Sequence, residues 1–487
     1  GEPISGSYFF LTRILRQEWG FEGYVVSDSE AVEFLYSKHR VVGGPVEAAA
    51  QVINAGLNIR THFTVPDDFI LPLRQAFAEG KVSQKVLDQR VREVLKVKFW
   101  MGLFDQPYVG DGQQAEKIVH SPEHRQVALD AARQSIVLLK NENHFLPLSK
   151  EVKSVAVIGP NANERKNLIC RYGPANPAFI TVYEGIKNHL PQAEVRYAKG
   201  CEVIDKHFPE SELMEFPMEA EETRLMEEAL QLVAQSDVTV AVLGGSEKTV
   251  RESFPRTSLN LPGRQEKLLQ AAYATGKPVV LVLLDGRASV NWANKYIKGI
   301  VHAWFPGEFC GQAVAEVLWG DYNPGGRLAV TFPKSVGQIP FAFPFKPGSD
   351  SKGFVRVSGE LYPFGYGLSY TDFAYADLKI TPEKGGVGSC YTVSCKVKNT
   401  GKVKGDEVVQ LYLHDEYSSV TTYVKVLRGF ERITLEPGEE KQVEFVLTPQ
   451  ELGLWNKDNH FVVEPGTFKI YVGASSKDIR LGTLEVV

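Results

Sequence analysis

Hydrophobic positions along the chain follow three successive patterns. Over residues 1 to about 105 they recur at helical spacing, from Tyr8, Phe9, Leu11, Ile14, Leu15 and Trp19 to Val91, Val94, Leu95 and Val97, with a stop near Gly102. Between these helices lie a short strand at Tyr24 to Ser27 and an extended segment at Leu57-Asn58-Ile59-Arg60. This predicts βα repetition with two strands. Over 122–345 a helix from His124 to Leu138 is expected first. Apolar runs follow at 154–158, 238–243, 279–284 and 299–303, with helices between them. Continuous apolar strands alternating with helices predict a mostly parallel sheet covered on both faces. From about 370 the pattern turns to short alternating strands at 390–395, 408–413, 441–447 and 467–472, punctuated by the turns Glu436-Pro437-Gly438 and Glu464-Pro465-Gly466. That predicts a small β-sandwich. Residues 106–121, and 346–369 within a Pro- and Gly-rich run from Pro340 through Gly353 to Gly367, read as linkers. The domains expected are therefore 1–105, 122–345 and 370–487.

Two polar sites interrupt this pattern where chemistry is expected. Asp28 ends the strand Tyr24-Val25-Val26, and the C-terminal edge of a barrel strand is the active-site face of a (β/α)8 fold. The alternative is that Asp28 caps the helix carrying Ala31, Val32, Phe34 and Leu35. The second site is the loop Gly244 to Thr257, at the carboxyl end of a strand, where open α/β sheets place ligands. It holds the carboxylates Glu247 and Glu252 beside Lys248, Arg251 and Arg256. Gly244-Gly245 hints at a phosphate cradle, but no dinucleotide fingerprint or Walker sequence accompanies it. A solvated loop with incidental ion pairs is the competing reading.

Bulk composition narrows the function classes. A chain of 487 residues suggests two to four domains, and 43% hydrophobic with 23% charged residues is globular composition. A formal charge of -5 gives no electrostatic reason to expect nucleic acid or an anionic membrane as partner. No apolar run approaches a membrane span. Cys170, Cys201, Cys310, Cys390 and Cys395 are scattered without metal-ligand spacing and read as structural, so no metal site is expected. There is no Asn-x-Ser/Thr acceptor and no visible signal peptide.

The runs Gly20-Phe21-Glu22-Gly23-Tyr24-Val25-Val26-Ser27-Asp28, Ser135 to Glu142, Val157-Ile158-Gly159-Pro160-Asn161-Ala162 and Arg256 to Gly263 resemble glycoside hydrolase family 3. So do Asp321-Tyr322-Asn323-Pro324-Gly325-Gly326-Arg327-Leu328 and Tyr362 to Tyr370, all in the family's order. The resemblance implies a barrel, an α/β sandwich and a fibronectin type III-like domain, acting without cofactor on β-linked sugars from the non-reducing end. By position, Asp28 matches the family's nucleophile and Glu252 its acid/base, with Glu247 in reserve. Retaining hydrolysis uses one ionised carboxylate and one protonated carboxyl, about 5 to 5.5 Å apart. Hydroxyl donors such as Ser27 would keep the Asp ionised, while a loop closing over a sugar would raise the pKa of the Glu.

Two departures from the family pattern matter. Ser29, followed by Glu30, stands where many members carry a Trp against the sugar, which resembles the subgroup active on β-xylosides. Arg60, Thr61 and His62 replace the usual acidic and Met residues, so Ser29, Arg60 and Glu247 are the expected substrate-pocket residues. Two strands supply only the C-terminal part of a (β/α)8 barrel of roughly 200 to 250 residues, leaving the rest missing or supplied in trans. His302 is expected to be a core histidine and Trp304 packing rather than a sugar platform. The leading function is an exo-acting β-glucosidase or β-xylosidase whose partner is a β-linked oligosaccharide, with a homodimer allowed and a periplasmic or secreted location implied by the resemblance. A catalytically incomplete fragment or carbohydrate-binding remnant, and a β-glycoside phosphorylase on the same scaffold, are the alternatives.

Overall fold

The apolar runs of the middle region form the centre of a six-stranded sheet. The structure is a computed structural model that describes residues 1–168, 173, 178–349 and 357–487. Cys170 and the Gly353 part of the Pro- and Gly-rich run lie outside the described residues. The chain divides into two compact units, Gly1–Ser121 and Pro122–Val487.

In the second unit the sheet strands are β1 (Val137–Asn141), β2 (Ser154–Ile158), β3 (Glu194–Ala198), β4 (Val238–Gly244), β5 (Val279–Leu284) and β6 (Gly299–His302). Their order is β1-β6-β5-β4-β2-β3, parallel except for the antiparallel β1–β6 pair. The period of two sends alternate residues of each run into different cores. In β4 and β5, Val238, Val240, Val242, Val280, Val282 and Leu284 enter one core, while Ala241, Leu243, Val279, Leu281 and Leu283 enter the other. The sheet is thus covered on both faces by helices, as the patterning predicts.

Two elements differ from expectation. The helix expected through Leu138 stops at Ser135, and Val137–Asn141 leaves it to become β1. Its run is buried on both faces beside β6, so pairing outweighs continuation of the helix. The expected linker contains a helix, Gly112–Ile118, whose N-cap Asp111 accepts from the Gln113 amide at 3.0 Å.

The C-terminal region is a sandwich of a five-stranded and a three-stranded sheet. Alternate residues of Tyr391–Asn399 and Gly405–Asp415 point inward, with Tyr391, Val393, Cys395, Val409, Leu411, Phe468 and Ile470 in its core. Free Cys201, Cys310 and Cys395 are buried, and burial pushes the Cys310 thiol up to about 12.

The first unit is the partial barrel: helices packed round two extended segments that run parallel through a Val26–Ile59 bridge. Its core gathers Leu11, Val32, Leu35, Val52, Ile53, Leu57 and Val82. The expected strand is reduced to this single bridge, and Val26 is 47% exposed, although a parallel barrel strand would bury it. The Leu57–Ile59 segment lies against it, with Ser27 N–H donating to Ile59 O and Asn58 N–H to Val25 O. In the helix Gln84–Trp100 the buried residue is Glu93, whereas Val91 and Leu95 of the expected apolar stripe are exposed.

Candidate active site

A buried carboxylate explains how the segment bearing Asp28 is held. Glu93 accepts from Asn58 Nδ2 at 2.7 Å and from Gln89 at 2.9 Å, and lies 3.2 Å from both the Arg16 and the Arg90 guanidinium. Arg16 donates onward to the Gly23 and Gly56 carbonyls and to Asn58 Oδ1 at 2.9 to 3.0 Å. Asn58 Oδ1 also accepts from the Val25 amide at 2.9 Å. Burial pulls the Arg16 and Arg90 pKa values down, and Glu93 opposes it. A buried charge is tolerated when paired and hydrogen-bonded in this way. The result ties the backbone before Asp28 to the backbone before Arg60.

Past that clamp, the Ser27 amide donates to Ile59 O at 2.9 Å, and Asp28 emerges exposed at the surface of its unit. Asp28 Oδ1 accepts from the Ser29 amide at 2.7 Å, and its carbonyl accepts from Ala31 at 3.2 Å. The next helix begins only at Phe34, so Asp28 organises a turn rather than capping that helix. The Ser27 hydroxyl, expected beside the Asp28 carboxylate, instead accepts from the Thr61 amide at 2.9 Å. Asp28, Ser29 and the Arg60-Thr61-His62 run are therefore gathered at one edge. The Arg60 guanidinium is buried there, 2.6 Å from Glu33 Oε1 and 2.9 Å from Thr64 Oγ1. His62 Nδ1 accepts from the amides of Phe63 and Thr64 at 2.8 and 3.0 Å.

In the second unit the loop after β4 is pinned at both ends. Gly244 has φ 138°, and a Cβ there would lie 2.2 Å from Leu284 O. The Gly245 amide donates to Leu284 O at 3.0 Å, and a Cβ on Gly245 would meet Asp285 Oδ1 at 2.9 Å. The hinted phosphate cradle is thus occupied by the protein's own carbonyl and carboxylate. Asp285 is buried, which pushes it up to about 6. Residues 246–250 wind into one turn, with the Val250 amide donating to Ser246 O at 2.9 Å. At the far end Glu212, whose side chain is 4% exposed, pairs with Arg256 and accepts from the Thr257 amide at 3.0 Å and hydroxyl at 2.9 Å. The Arg256 partner is therefore Glu212, outside the loop.

Between these anchors Glu247 pairs with Arg251 at 3.2 Å, and the Arg251 guanidinium lies 3.7 Å over the Phe254 ring. Glu252 is exposed at the apex, beside Ser253 with φ 64°. A cavity of about 710 Å³ opens by the loop at the carboxyl ends of β2, β3 and β4, lined in part by Ser246, Glu247 and Lys248. Among the described residues its lining has four lysines and four carboxylates.

His302 is fully buried in β6, its ring 4.1 Å from Trp304 and 5.4 Å from Phe332, and burial pulls it down to about 3. It is a neutral core residue, and Trp304 packs on it. Sequence reasoning missed Arg16, Asn58, Glu93, Glu212 and Asp285. Of these only Asn58 was named there; Arg16 and Glu93 lay inside predicted helices as apparent surface residues, and Glu212 and Asp285 carry no local signal. Among the described residues no helix is long and apolar enough to cross a membrane.

Three stretches of the chain match known domain families. Residues 1–97 match the glycosyl hydrolase family 3 N-terminal domain, residues 136–370 its C-terminal domain, and residues 407–476 a fibronectin type III-like domain. A beta-xylosidase of Formosa agariphila is 40% identical over all of this chain and 67% of its own length. A periplasmic beta-glucosidase of Salmonella typhimurium is 37% identical over all of this chain and 66% of its own. A solved β-glucosidase of Erythrobacter marinus superposes with a TM-score of 0.91 at 35% identity, over 99% of this chain and 66% of that one. The chain thus spans about two thirds of the length of these relatives. With three successive domain matches and relatives at these identities, the chain belongs to glycosyl hydrolase family 3.

Proposed function

We propose that the protein is an exo-acting retaining β-glycosidase that releases terminal non-reducing β-D-glucosyl or β-D-xylosyl residues from oligosaccharides. Asp28 is the nucleophile and Glu252 the acid/base. Asp28 attacks the anomeric carbon as Glu252 protonates the leaving oxygen, giving a glycosyl-enzyme ester; Glu252 then deprotonates the water that cleaves it. The observation that carries this reading is family membership together with relatives named beta-xylosidase and beta-glucosidase. The exposed, anchored positions of both carboxylates agree with it. Ser29, small beside the nucleophile, favours a pentose; Glu247 and Arg60 act on the pocket through their ion pairs with Arg251 and Glu33. Among the described residues the lining of the cavity beside the loop carries equal numbers of lysines and carboxylates, which favours a neutral sugar over phosphate. A homodimer belongs to the same proposal and is checked by sedimentation.

The test is hydrolysis of aryl β-D-xylosides and β-D-glucosides. Asp28→Asn is expected to reduce turnover to background, and Glu252→Gln to reduce it by about 10²- to 10⁴-fold, least for the best leaving groups. Azide should restore the Glu252→Gln rate and give a β-glycosyl azide. An Asp28→Asn enzyme with undiminished turnover would remove the assignment, and turnover that requires phosphate would favour the phosphorylase.

A further inference from the structure

A second concave site lies in the fibronectin type III-like domain, lined by residues from 413–428 and 452–461 with Lys346. It is a cavity of about 720 Å³, within the range of roughly 300 to 1,000 Å³ that small-molecule sites occupy. Its lining combines two kinds of surface. Trp455 and Phe461, 64% and 41% exposed, stand edge to face with ring centroids 5.7 Å apart on the small hairpin Leu454–Trp455/Phe461–Val462, and Tyr423 adds a third exposed ring. Gly453 permits this arrangement, since a Cβ there would lie 2.4 Å from the Phe461 ring.

The other surface is polar and only partly satisfied. Asp415, 7% exposed, and Arg428 both line the cavity, and each keeps a buried atom, Oδ2 and Nε, without a hydrogen-bond partner among the described residues. Buried polar groups are ordinarily paired, so two orphans in one cavity lining point to a ligand or water that completes them. Burial and the neighbouring Glu464 carboxylate push Asp415 up to about 6, while burial pulls Arg428 down. Aromatic rings beside mixed donors and acceptors suit a neutral ring whose C–H face stacks and whose hydroxyls both donate and accept. Lys346 and Arg428 stand opposite in sign to Asp415, so the lining selects for neither charge, and a purely apolar ligand would leave the orphans buried.

We propose that this cavity is an accessory carbohydrate-binding site that takes a stretch of neutral β-linked oligosaccharide through Trp455, Phe461, Asp415 and Arg428. The choice of β-linked ligand rests on the glycosidase reading, while the site itself rests on the cavity. It would retain polymeric substrate on the protein independently of bond cleavage.

Affinity electrophoresis of the full chain in native gels cast with soluble β-1,4-xylan or mixed-linkage β-glucan reads this directly. Retardation is expected, with Trp455→Ala weakening it on the order of tenfold and Trp455→Phe retaining most of it. Asp415→Asn should weaken it without loss of fold, checked by an unchanged melting temperature. Aryl β-glycoside hydrolysis, run on the same proteins, should not respond to Trp455→Ala. A wild-type chain that migrates freely in both gels, or a Trp455→Ala variant retarded as strongly as wild type, overturns the site. Retardation that needs Trp455 in a chain inactive on every aryl glycoside would support the site while rejecting the glycosidase reading.

Discussion

Asp285 carries the plainest consequence of a single buried carboxyl. Its Oδ1 accepts from the Gly286 amide at 2.7 Å, and its Oδ2 has no partner among the described residues. Burial raises it to about 6 against Arg256, which draws it down. Because the folded pKa lies above the unfolded one, the fold is best supported while the carboxyl is protonated in both states. Stability is lost as pH rises from about 4 through 6, by up to about 3 kcal/mol. Asp285→Asn keeps the shape and removes the charge. Relative to wild type, it is expected to gain stability between pH 4.5 and pH 7 in urea denaturation. A difference between the two proteins that stays constant over that interval would remove the argument. The same carboxylate lies beneath Gly245, so the variant also reports how firmly the loop bearing Glu252 is seated.

Among the elements, the helices Val182–His189 and Cys310–Trp319 meet at two glycines. A Cβ on Gly185 would sit 2.1 Å from the Gly311 carbonyl, and one on Gly311 2.0 Å from Thr181 O. The obstructing atoms are backbone, so they cannot rotate away. Gly185→Ala improves helix propensity by about 1 kcal/mol, yet forcing the helices apart costs about 1 to 3 kcal/mol. A net loss is expected, seen as a lower midpoint in denaturant, and an unchanged or raised midpoint would show that the helices can part freely. This contact was illegible in the sequence, because Gly185 and Gly311 lie far apart along the chain and belong to no local pattern. The strands β2, β4, β5 and β6 were legible because runs such as Val279–Leu284 are apolar at every position, as burial on both faces demands. The edge strand β3, Glu194-Val195-Arg196-Tyr197-Ala198, mixes charge with β-formers and gave no such signal. Asp28 and Glu252 stood out through position and resemblance. The groups that hold their segments, Glu93 and Glu212, did not, because each acts through partners distant in sequence and a buried carboxylate reads locally as surface.

For the molecule as a whole, the second unit joins its α/β sheet to its β-sandwich through buried polar contacts. Arg327 Nη2 lies 2.7 Å from Glu407 Oε2, with side chains 8% and 2% exposed, and Tyr375 donates to the other Glu407 oxygen at 2.7 Å. Burial raises the Glu407 pKa, and Arg327 and Tyr375 hold it back. Around this pair the Tyr370 hydroxyl donates to Val317 O at 2.7 Å, Asn323 donates to Lys404 O at 2.9 Å, and Gln410 donates to Gly365 O at 3.0 Å. Groups so interlocked cannot part without stranding charges, so residues 122–487 are expected to melt in one calorimetric transition. Arg327→Met leaves Glu407 buried without its cation and should cost about 3 to 5 kcal/mol. Arg327→Met combined with Glu407→Leu removes both charges and should recover most of that loss, because desolvation of the pair disappears with it. Separate transitions for the sheet and the sandwich in wild type would mean that these contacts do not couple them, and a double variant no more stable than the single one would mean that the loss does not come from the stranded Glu407 charge.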